Sequence, residues 1–566
     1  MTEGTVTTEK EGIIPSSTGR SRAMPLWTVL LFPSLADVVF VALLGLALGL
    51  RGHQLLNSDG DLARHLAVGR QILSTASIPT LDLFSYTKGG EPFVPYEWLS
   101  EVIFAATSRG LGLVGVAVLA ACLATFPFLL LVRWMVRDGS NPFVAIGLAV
   151  VGALAGSMHW LARPHLFTIL LALLWTRALA RHRATGSLRP LAALPPMMAL
   201  WANLHGGFLV GFLILGVFLA GSAVEMRWGD WGRGAVGGAQ EPGENPNSGP
   251  QNWGVRTRNG RSILAMALAG ALSLAATGLN PVGYSLLPHV TGYFHSQFLV
   301  DNTVEYLSPD FHNVGPQLFL VLLLVAVVAM AVVPRPIAAT DLGMLLLWSA
   351  LSLYSARNIP LFVVICLPIV ARLASDALAG YRGALGGSGD APGSGRSRKR
   401  PIWAGGGGGL ARRLAVTEGR MGGPLLPVLA VAAALLICRG GIADLRPWFG
   451  FDPAVFPVQA LARAEAVGAR GNLFNYFPWG GYVLYAGYPR YRVFIDGQTD
   501  FYGEQLTRDY LKVARLDPEW ETVLDRYRVG WVLFPHNSPL SLILARTRGW
   551  RLAYEDETAD IFIREQ

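Results

Sequence analysis

The run LWTVLLFPSLADVVFVALLGLALGL (Leu26–Leu50) is apolar enough and long enough to cross a bilayer, which requires about 20 such residues in a helix. No small-residue cleavage site follows a short apolar core, so we interpret the run as a retained first membrane span. It leads into NSDGDLARHLAVGRQ (Asn57–Gln71), where two acids, an arginine and a histidine lie close together. Such a stretch is either an interfacial helix with a charged start or the catalytic loop of a membrane enzyme.

Composition places the whole chain in the membrane class. Charged residues make up 15% and hydrophobic residues 52% of the 566 residues, and the mean hydropathy is +0.41. An ordinary soluble domain has about 25% charged residues. The three cysteines lie separately inside apolar runs, so the sequence predicts neither a zinc site nor a disulfide framework.

Apolar segments predict about eleven membrane spans, of which several are short for a hydrocarbon core of roughly 30 Å. The region 190–224 is the least regular, because it is interrupted at LHGG. We therefore expect an α-helical polytopic membrane protein. After the first span, the segments lie near 112–132, 142–160, 165–181, 190–204, 207–224, 262–279, 316–333, 337–353, 359–374 and 424–438.

The distribution of basic residues predicts the orientation. With the N-terminus in the cytoplasm, the cytoplasmic segments before residue 424 carry 24 lysines and arginines, against 7 in the external segments. This asymmetry follows the positive-inside rule. We expect a multi-pass protein of the cytoplasmic (inner) membrane whose C-terminal domain is extracytoplasmic. The net charge of +8 then serves insertion and contact with anionic membrane lipid, not nucleic acid.

Three parts follow along the chain: a cytoplasmic tail (1–26), a transmembrane domain (27–439) and an extracytoplasmic α/β domain (440–566). The transmembrane domain includes an external loop at 51–97. It also includes two Gly-, Pro- and Ser-rich cytoplasmic linkers that we expect to be disordered, at 226–260 and 380–422. In the last part, the sequence predicts strands at YRVFIDG, GWVLFP, WRLAYED and ADIFIRE, and helices at FPVQALARAEAVGA, EQLTRDYLKVARL, EWETVLDRY and PLSLILART.

Ionisable residues gather on the external side of this topology. Nine of the ten histidines map there, and only His182 is cytoplasmic. Ionisable groups at a membrane are expensive and usually mark a functional site, so five polar loops on one face predict a single site. These loops carry Asp59, Asp61, Arg64, His65, Glu97 and Glu101; His159, Arg163 and His165; Asn203 and His205; Asn280, His289, His295, Glu305, Asp310 and His312; and Arg357 and Asn358.

Several of these residues have a simpler interpretation that the sequence leaves open. Asp59 could act only as a cap at a helix start. Arg163 could merely reach lipid headgroups, as long basic side chains do at membrane borders. His205 could cap a break between two helices, and Glu305 could lie in a solvated loop.

The architecture resembles the GT-C superfamily of membrane glycosyltransferases, which have an acid in the first external loop, many spans and a C-terminal external domain. DLARH (Asp61–His65) is similar to the acid-x-x-x-His stretch after the first helix of archaeal oligosaccharyltransferases. Gly69–Val102 looks like the juxtamembrane part of that loop in bacterial GT-C-like proteins. FNYFPWGGYVLY (Phe474–Tyr485), followed by YRVFIDGQTDFYG (Tyr491–Gly503), is similar to the tryptophan-rich acceptor motif of oligosaccharyltransferases.

Two features depart from the oligosaccharyltransferase pattern. The loop MHWLARPHLF (Met158–Phe167) carries an arginine and histidines where that family has a second acidic motif. Trp479 is followed by two glycines, so the central acid of the tryptophan motif is missing. These departures count against peptide-sequon recognition and against a full metal site, so the resemblance implies a polyprenyl-phosphate-sugar-dependent transferase whose acceptor stays open.

The resemblance implies that a sugar passes, with inversion, from a polyprenyl-phosphate-linked lipid donor at the outer face to a glycan, lipid or protein acceptor. It implies Asp61 as the catalytic base, with Asp59 as the alternate. A divalent metal, Mg or Mn, is possible through Asp59, Asp61 and His65. The residues implied for the donor phosphate are Arg163, Arg357, His165 and His205. Those implied on the acceptor side, or as supports of the site, are His65, Glu97, Glu305 and Asn203.

Two other functions stay open at this point. A transporter or flippase of a lipid-linked substrate would carry ionisable residues near the bilayer midplane in repeated halves. Here the charges gather at one face, and no repeat is visible. A non-catalytic membrane assembly subunit would tolerate alanine at Asp61, whereas surface changes within 473–510 would disrupt its complex.

Overall fold

The computed structural model describes residues 32–228, 251–292, 296–301, 304–333, 336–385, 410–420, 423–440 and 449–565. The expected tail at 1–26 and His295 lie outside these ranges. Only parts of the two expected linkers are described. Within them the residues 226–228, 251–260, 380–385 and 410–420 are helical.

The chain up to Gly440 is built mainly from helices, as the apolar segments predict. Their bounds are α1 Leu35–Gly49, α2 Gly52–Asn57, α3 Asp61–Thr75, α4 Trp98–Arg137, α5 Pro142–Gly156, α6 His165–Thr185, α7 Arg189–Ala192, α8 Leu194–Leu204, α9 Leu209–Trp228, α10 Gln251–Ala276, α11 Leu286–Gly292, α12 Gln297–Asp301, α13 Val314–Val332, α14 Ala339–Tyr354, α15 Ile359–Leu385, α16 Leu410–Arg420 and α17 Leu425–Gly440.

Within the described ranges, five helical segments are long and apolar enough to cross a membrane. They are Trp98–Arg137, Pro142–His159, Gly206–Trp228, Val314–Val332 and Ala356–Gly380. Shorter apolar helices add to them at Leu35–Gly49, Gly260–Ala276, Ala339–Tyr354 and Leu425–Arg439. The polytopic helical class is confirmed, and the number of about eleven spans stays a prediction.

Helix α13 shows how one apolar helix can pack against the bundle on one side and expose apolar side chains on the other. Leu320, Leu324 and Val328 recur every four residues on its exposed side, whereas Phe319 and Leu322 are buried in the bundle. Apart from Gln317 near its start, this helix carries no polar side chain, so burial inside the bundle and not polarity separates the two faces. The exposed side is suited to contact with acyl chains.

Helix α3 lies between the bundle and the C-terminal domain. It packs against α4 on one side and against a helix of that domain, α19 (Gly480–Gly487), on the other. The contact with α4 is close because α3 has a glycine there: a Cβ at Gly69 would lie 2.0 Å from the carbonyl oxygen of Glu101. At Gly112, a φ of 70° interrupts α4 and separates this first part from the rest of the helix.

The C-terminal domain is a mixed α/β unit, as expected. Its four-stranded sheet has the order β1-β2-β4-β3, with β1 parallel to β2 and the other pairs antiparallel. The elements are α18 Val458–Arg463, β1 Asn472–Asn475, α19 Gly480–Gly487, α20 Thr499–Ala514, α21 Trp520–Arg526, β2 Val529–Pro535, α22 Pro539–Leu544, β3 Trp550–Glu555 and β4 Ala559–Arg564.

The three later predicted strands correspond to β2, β3 and β4, but the strand predicted at YRVFIDG is wrong. This segment forms one isolated bridge, between Val493 and Ser85 of the first external loop. The side chain of Asn475 satisfies further backbone groups there: it accepts from the Phe494 amide (2.9 Å) and donates to the Ile495 carbonyl (2.8 Å). Its backbone is thus paired by a loop and a side chain, and no sheet ladder forms.

Polar contacts also join the C-terminal domain to the ends of the helical bundle. His53 of α2 pairs with Asp452 (2.6 Å), and His289 of α11 pairs with Asp500 (3.0 Å). The domain therefore contacts two regions of the helical part that are far apart in the sequence. Its own residues can complete a site formed by those regions.

Candidate active site

Two groups of charged residues lie around the first turns of α3. We call Asp59, Asp61, Arg163, Glu305 and Arg357 the Arg163 cluster. We call Arg64, His65, Glu97, Glu101 and His205 the Glu97 cluster. All of them come from the loops that the sequence places on the external face, and ion pairs join the members of each cluster.

In the Arg163 cluster, one guanidinium contacts three carboxylates through three different nitrogens. Nε of Arg163 lies 2.9 Å from Oδ2 of Asp59, and Nη2 lies 2.9 Å from Oδ2 of Asp61. Nη1 donates to Oε1 of Glu305 at 2.5 Å. Residues that are about 100 and 140 positions apart in the sequence thus form one ionic network.

Arg357 extends this network and keeps donors to spare. Its Nη1 lies 3.6 Å from Oε2 of Glu305 and donates to the hydroxyl of Tyr306 at 2.9 Å. The guanidinium also lies over the Tyr306 ring, 5.2 Å from its centroid. About a third of the Arg357 side chain is exposed, twice the fraction of Arg163. Arg357 is therefore the arginine of this cluster that an incoming anion can reach more easily.

The backbone of the C-terminal domain forms one wall around Asp61. A Cβ at Gly497 would lie 1.9 Å from Oδ1 of Asp61, so only glycine leaves room for the carboxylate. At the preceding turn, a Cβ at Gly60 would lie 1.9 Å from the carbonyl oxygen of Pro478. These contacts come from the motifs FPWGG and IDGQ, which the resemblance associated with the acceptor.

Helix α3 begins at Asp61, two residues after Asp59, which the sequence left open as a cap. The amide of Asp61 donates to Oδ1 of Asp59 at 3.0 Å, so Asp59 does act at the helix start. The same Asp59 side chain uses its other oxygen for Arg163. Asp59 thus supports the helix start and takes part in the cluster at the same time, although the N-cap residue itself is Gly60, and the acidic start suits the helix dipole.

The Glu97 cluster lies one turn further along α3. Nδ1 of His65 is 3.3 Å from Oε1 of Glu101 and 3.9 Å from Oε2 of Glu97. The other oxygen of Glu97 lies 3.6 Å from Nε2 of His205. Glu97 therefore stands between two imidazoles, at distances longer than direct hydrogen bonds.

The hydrogen bonds of His205 fix the position of its proton. Nδ1 accepts from the Gly207 amide (3.0 Å) and lies 2.8 Å from the hydroxyl of Thr168. Because Nδ1 accepts from the Gly207 amide it carries no proton, so the Thr168 hydroxyl, which itself accepts from the indole of Trp201, donates to the imidazole. A neutral His205 consequently carries its proton on Nε2, which faces Glu97 as a donor.

The C-terminal domain also completes the Glu97 cluster. The buried guanidinium of Arg64 lies 3.4 Å from Glu101 and 3.6 Å from Asp496, and it donates to the side chain of Gln498. Burial raises the pKa of Asp496, although Arg64 opposes this rise. Neither Asp496 nor Gln498 was singled out from the sequence; Asp496 lies in YRVFIDG, which was interpreted as a strand, and Gln498 follows this segment directly.

Electrostatics differ between the clusters. Burial raises the pKa of Glu97 to about 7, since His65 and Arg64 offset it only in part. Burial alone would also raise the pKa of Glu305, but Arg163 and Arg357 outweigh it and lower that pKa to about 2. For Asp59, burial prevails over Arg163, and its pKa is raised.

The two clusters share one electrostatic environment. Burial lowers the pKa of His205 well below its usual range, and Arg357, His165 and His65 add to this lowering. Arg357 belongs to the Arg163 cluster and His65 to the Glu97 cluster. We therefore treat the clusters as two halves of one candidate site.

The remaining predicted residues lie at different distances from this centre. His165 donates from Nε2 to the carbonyl of His159 (2.7 Å), which leaves Nδ1 of a neutral ring as an acceptor. Asn203 is engaged elsewhere, because its amide contacts Trp98 (2.7 Å) and the Leu279 carbonyl (2.7 Å).

The expected metal ligands are not brought together as a set of three. Asp59 and Asp61 are occupied by Arg163, whereas His65 lies with Glu97 and Glu101. Ligand atoms of the latter three residues lie within 4.8 Å of one another and could hold a metal ion. The chemistry of the Glu97 cluster thus fits a divalent cation, and that of the Arg163 cluster does not.

No protein-family model matches this chain, and neither does any curated protein sequence. Among solved structures, it is similar to the Archaeoglobus fulgidus oligosaccharyltransferase tethered to an acceptor peptide containing the NVT sequon (TM-score 0.49, 12% identity, 94% of this chain and 74% of that one). A second similar structure is AglB of the same organism with an inhibitory peptide and a dolichol-phosphate (TM-score 0.48, 12% identity, 94% and 74%).

A third is ArnT from Cupriavidus metallidurans bound to undecaprenyl phosphate (TM-score 0.43, 12% identity, 93% of this chain and 97% of that one). Two of these three structures are archaeal oligosaccharyltransferases, the kind of protein that the sequence resembles. All three TM-scores are below 0.5, so no role of an individual residue is transferred from them.

Proposed function

We propose that this protein is a membrane glycosyltransferase that takes a sugar from a polyprenyl-phosphate-linked donor. Transfer occurs at the outer face of the cytoplasmic membrane, with the N-terminus inside, and the acceptor is a glycan, lipid or protein. The observation that carries the proposal is the convergence of partly exposed Asp61, Glu305 and Arg357 through the ion pairs of one cluster, in which Gly497 of the C-terminal domain lies against Asp61.

The chemistry is a single displacement at the anomeric carbon. An acceptor hydroxyl attacks this carbon, its C–O bond forms, and the bond from the sugar to the phosphate oxygen breaks with inversion. Asp61 is proposed to orient the hydroxyl and take its proton, a role that requires a carboxylate within hydrogen-bond reach. The leaving group is the polyprenyl phosphate.

The leaving phosphate requires positive charge and hydrogen-bond donors. We assign the main part of this role to Arg357, because the guanidinium of Arg163 already contacts three carboxylates. The Nε2–H of His205 is a further donor that faces the site. A divalent ion such as Mg or Mn, held by His65, Glu97 and Glu101, would supply additional positive charge.

The lipid carrier suits the position of the site at the end of an apolar bundle. The phosphate would lie among the charged loops, while the isoprenoid tail would lie between helices that expose apolar side chains, as α13 does. Membrane lipid surrounds the same helices. This arrangement supports a lipid-linked donor over a water-soluble nucleotide sugar.

The test is transfer by membranes that contain either the wild type or Asp61→Asn. The membranes receive a polyprenyl-phosphate-linked sugar labelled in the sugar, and released polyprenyl phosphate and labelled acceptor are measured. We expect transfer to fall by about 10²-fold or more at unchanged protein abundance. Mass spectrometry of envelope glycans with and without the gene would then identify the acceptor.

The matched control is Asp138→Asn, which removes a carboxylate from an exposed ion pair with Arg177 in a segment expected on the cytoplasmic side. Transfer by this variant should stay at the wild-type level. Equal transfer by Asp61→Asn and the wild type would refute the base assignment. An envelope glycan profile that does not depend on the gene would favour the assembly subunit or the transporter.

A further inference from the structure

The feature that points beyond this function is the environment of Arg163. Asp59, Asp61 and Glu305 direct their oxygens at one point, and the guanidinium of Arg163 occupies that point. Three carboxylates around one centre are typical ligands of hard divalent cations such as Mg²⁺ and Ca²⁺. In this chain the central positive charge is covalently part of the protein.

We propose that Arg163 is a built-in cation that takes the place of a divalent metal among Asp59, Asp61 and Glu305. The inference concerns the site on which the proposed transfer depends, but it can be tested without any transfer. It predicts that the wild type binds no divalent ion at these three carboxylates. It also predicts that removal of the guanidinium creates such a site.

The first argument is geometric. Each of the three nitrogens of Arg163 contacts a different carboxylate, at 2.9, 2.9 and 2.5 Å. A metal bound to the same oxygens at about 2.0–2.6 Å would need the space that the guanidinium fills. Only 17% of the Arg163 side chain is exposed, so the group has little freedom to move aside.

The second argument is electrostatic. The three carboxylates face two guanidiniums, because Arg357 also approaches Glu305 at 3.6 Å. Without Arg163, the remaining single positive charge would leave two negative charges uncompensated in a mostly buried place. Uncompensated buried charge is strongly unfavourable, so these carboxylates would recruit a cation from solution.

The sequence agrees with this exchange of one cation for another. Arg163 stands in MHWLARPHLF, the loop in which the resemblance leads one to expect a further carboxylate. A carboxylate at position 163 would add a metal ligand to the three carboxylates, whereas the arginine neutralises their charge. One position thus decides between a metal-binding and a self-neutralised centre.

The experiment uses the full-length protein in detergent and Mn²⁺ alone as the probe, with bound ion counted by electron paramagnetic resonance. Arg163→Ala is expected to bind one more Mn²⁺ than the wild type, with an affinity at least about tenfold higher at that site. Adding Asp59→Asn to this variant should remove the gain, whereas adding Glu101→Gln should not. The variant with Glu101→Gln tests whether the additional Mn²⁺ binds at His65, Glu97 and Glu101 instead.

The matched control is Arg177→Ala, which also removes an arginine from an ion pair, but one with the single, exposed carboxylate of Asp138. This variant should bind no additional Mn²⁺. A gain of the same size in Arg177→Ala would overturn the inference, because it would show a nonspecific response to lost positive charge.

Arg163→Ala can fail to fold, and two further measurements keep the inference testable. In the wild type, any bound Mn²⁺ should be unaffected by Asp61→Asn; loss of Mn²⁺ in this variant would overturn the inference. If Arg163→Ala folds only partly, millimolar Mn²⁺ should raise its unfolding temperature and leave that of the wild type unchanged. If the Mn²⁺ binding results are as expected but the wild type transfers no sugar, only the proposed function is contradicted.

Discussion

The Arg163 cluster and the Glu97 cluster lie one helical turn apart on α3, but they balance their charges differently. In the Arg163 cluster, three carboxylates share two guanidiniums at short range. In the Glu97 cluster, Arg64 is the one guanidinium among the described residues that forms ion pairs with Glu101 and Asp496, and it also opposes the raised pKa of Glu97. With every carboxylate ionised, the first cluster has three negative charges against two positive ones, whereas the second, counted together with Asp496, has three against one.

The difference explains the opposite pKa shifts of two glutamates in similar surroundings. Both Glu305 and Glu97 are largely buried, and burial favours the protonated form of each. Two arginines reverse this effect at Glu305, whereas His65 and Arg64 only reduce it at Glu97. The half with two arginines therefore suits fixed positioning of charge, and the half with one arginine suits uptake of a proton or a cation.

The largest effect that we expect follows from removing the one guanidinium of the Glu97 cluster. Arg64→Met would leave the buried carboxylates of Glu101 and Asp496 without their counter-ion. Breaking a buried ion pair in this way costs about 3–5 kcal/mol. Thermal unfolding in detergent, with the yield of folded protein, measures the loss.

Arg70→Met is the matched control, because it removes an arginine from the same helix. Arg70 is exposed and lies 4.0 Å from the ring centroid of Tyr485, so its loss should cost about 0.5–1 kcal/mol. If the two variants lose equal stability, charge compensation is not what distinguishes the Glu97 cluster.

The second prediction tests the opposite pKa shifts through the pH dependence of stability. The folded pKa of Glu97 is raised from 4.5 to about 7, so the folded state binds more protons and stability falls as pH rises through this interval. Glu305 behaves in the opposite way: its pKa is lowered to about 2, so its stabilisation is present above 4.5 and is lost as pH falls towards 2.

Glu97→Gln should therefore gain up to about 3 kcal/mol relative to the wild type between pH 4 and pH 8. Glu305→Gln should lose stability of similar size at pH 7 and little near pH 2. Unfolding temperatures across this pH range measure both effects. Parallel pH profiles for the two variants would contradict the contrast between the clusters.

The third prediction concerns the wall that the C-terminal domain contributes to the Arg163 cluster. In Gly497→Ala the new methyl group would meet Oδ1 of Asp61, which must move away. Misplacement of a reacting group by about 1 Å can cost 10²-fold in rate, so we expect transfer to fall by about 10- to 100-fold. The measurement is release of polyprenyl phosphate per folded molecule.

Gly450→Ala is the control for this change, because nothing lies within 4 Å of a Cβ at that position of the same domain. It should transfer at the wild-type rate. Unimpaired transfer by Gly497→Ala would mean that the Asp61 carboxylate needs no fixed position. Asp61 would then be an unsuitable choice as the base.

The sequence predicted the bundle and the external gathering of charge, because long apolar runs and basic loops are local signals. It could not predict which charges pair. Asp61 and Glu305 are far apart in the sequence, and only the folded loops show that Arg163 joins them. Asp496 was missed for a different reason: YRVFIDG was interpreted as a strand, but its backbone is satisfied by Asn475 and by a bridge to Ser85.

The smallest expected effect concerns Asn203, which the sequence assigned to the acceptor side or to support of the site. Its amide nitrogen donates to the carbonyls of Ala199 and Leu279, and its oxygen accepts from the Trp98 indole. With both ends engaged, the side chain joins α8 to the start of α4 and to the loop after α10. We therefore expect support, not contact with an acceptor.

Asn203→Ala should lower the stability by about 1–2 kcal/mol, because it leaves a buried indole donor and a carbonyl without partners. Transfer per folded molecule should change by less than about twofold, because a loss of folding stability away from the reacting groups leaves their positions unchanged. Kinetics on the folded fraction separate the two effects. A rise in KM for the acceptor at unchanged stability would instead show that Asn203 contacts the acceptor, as was expected of Glu97, and that it does more than support the fold.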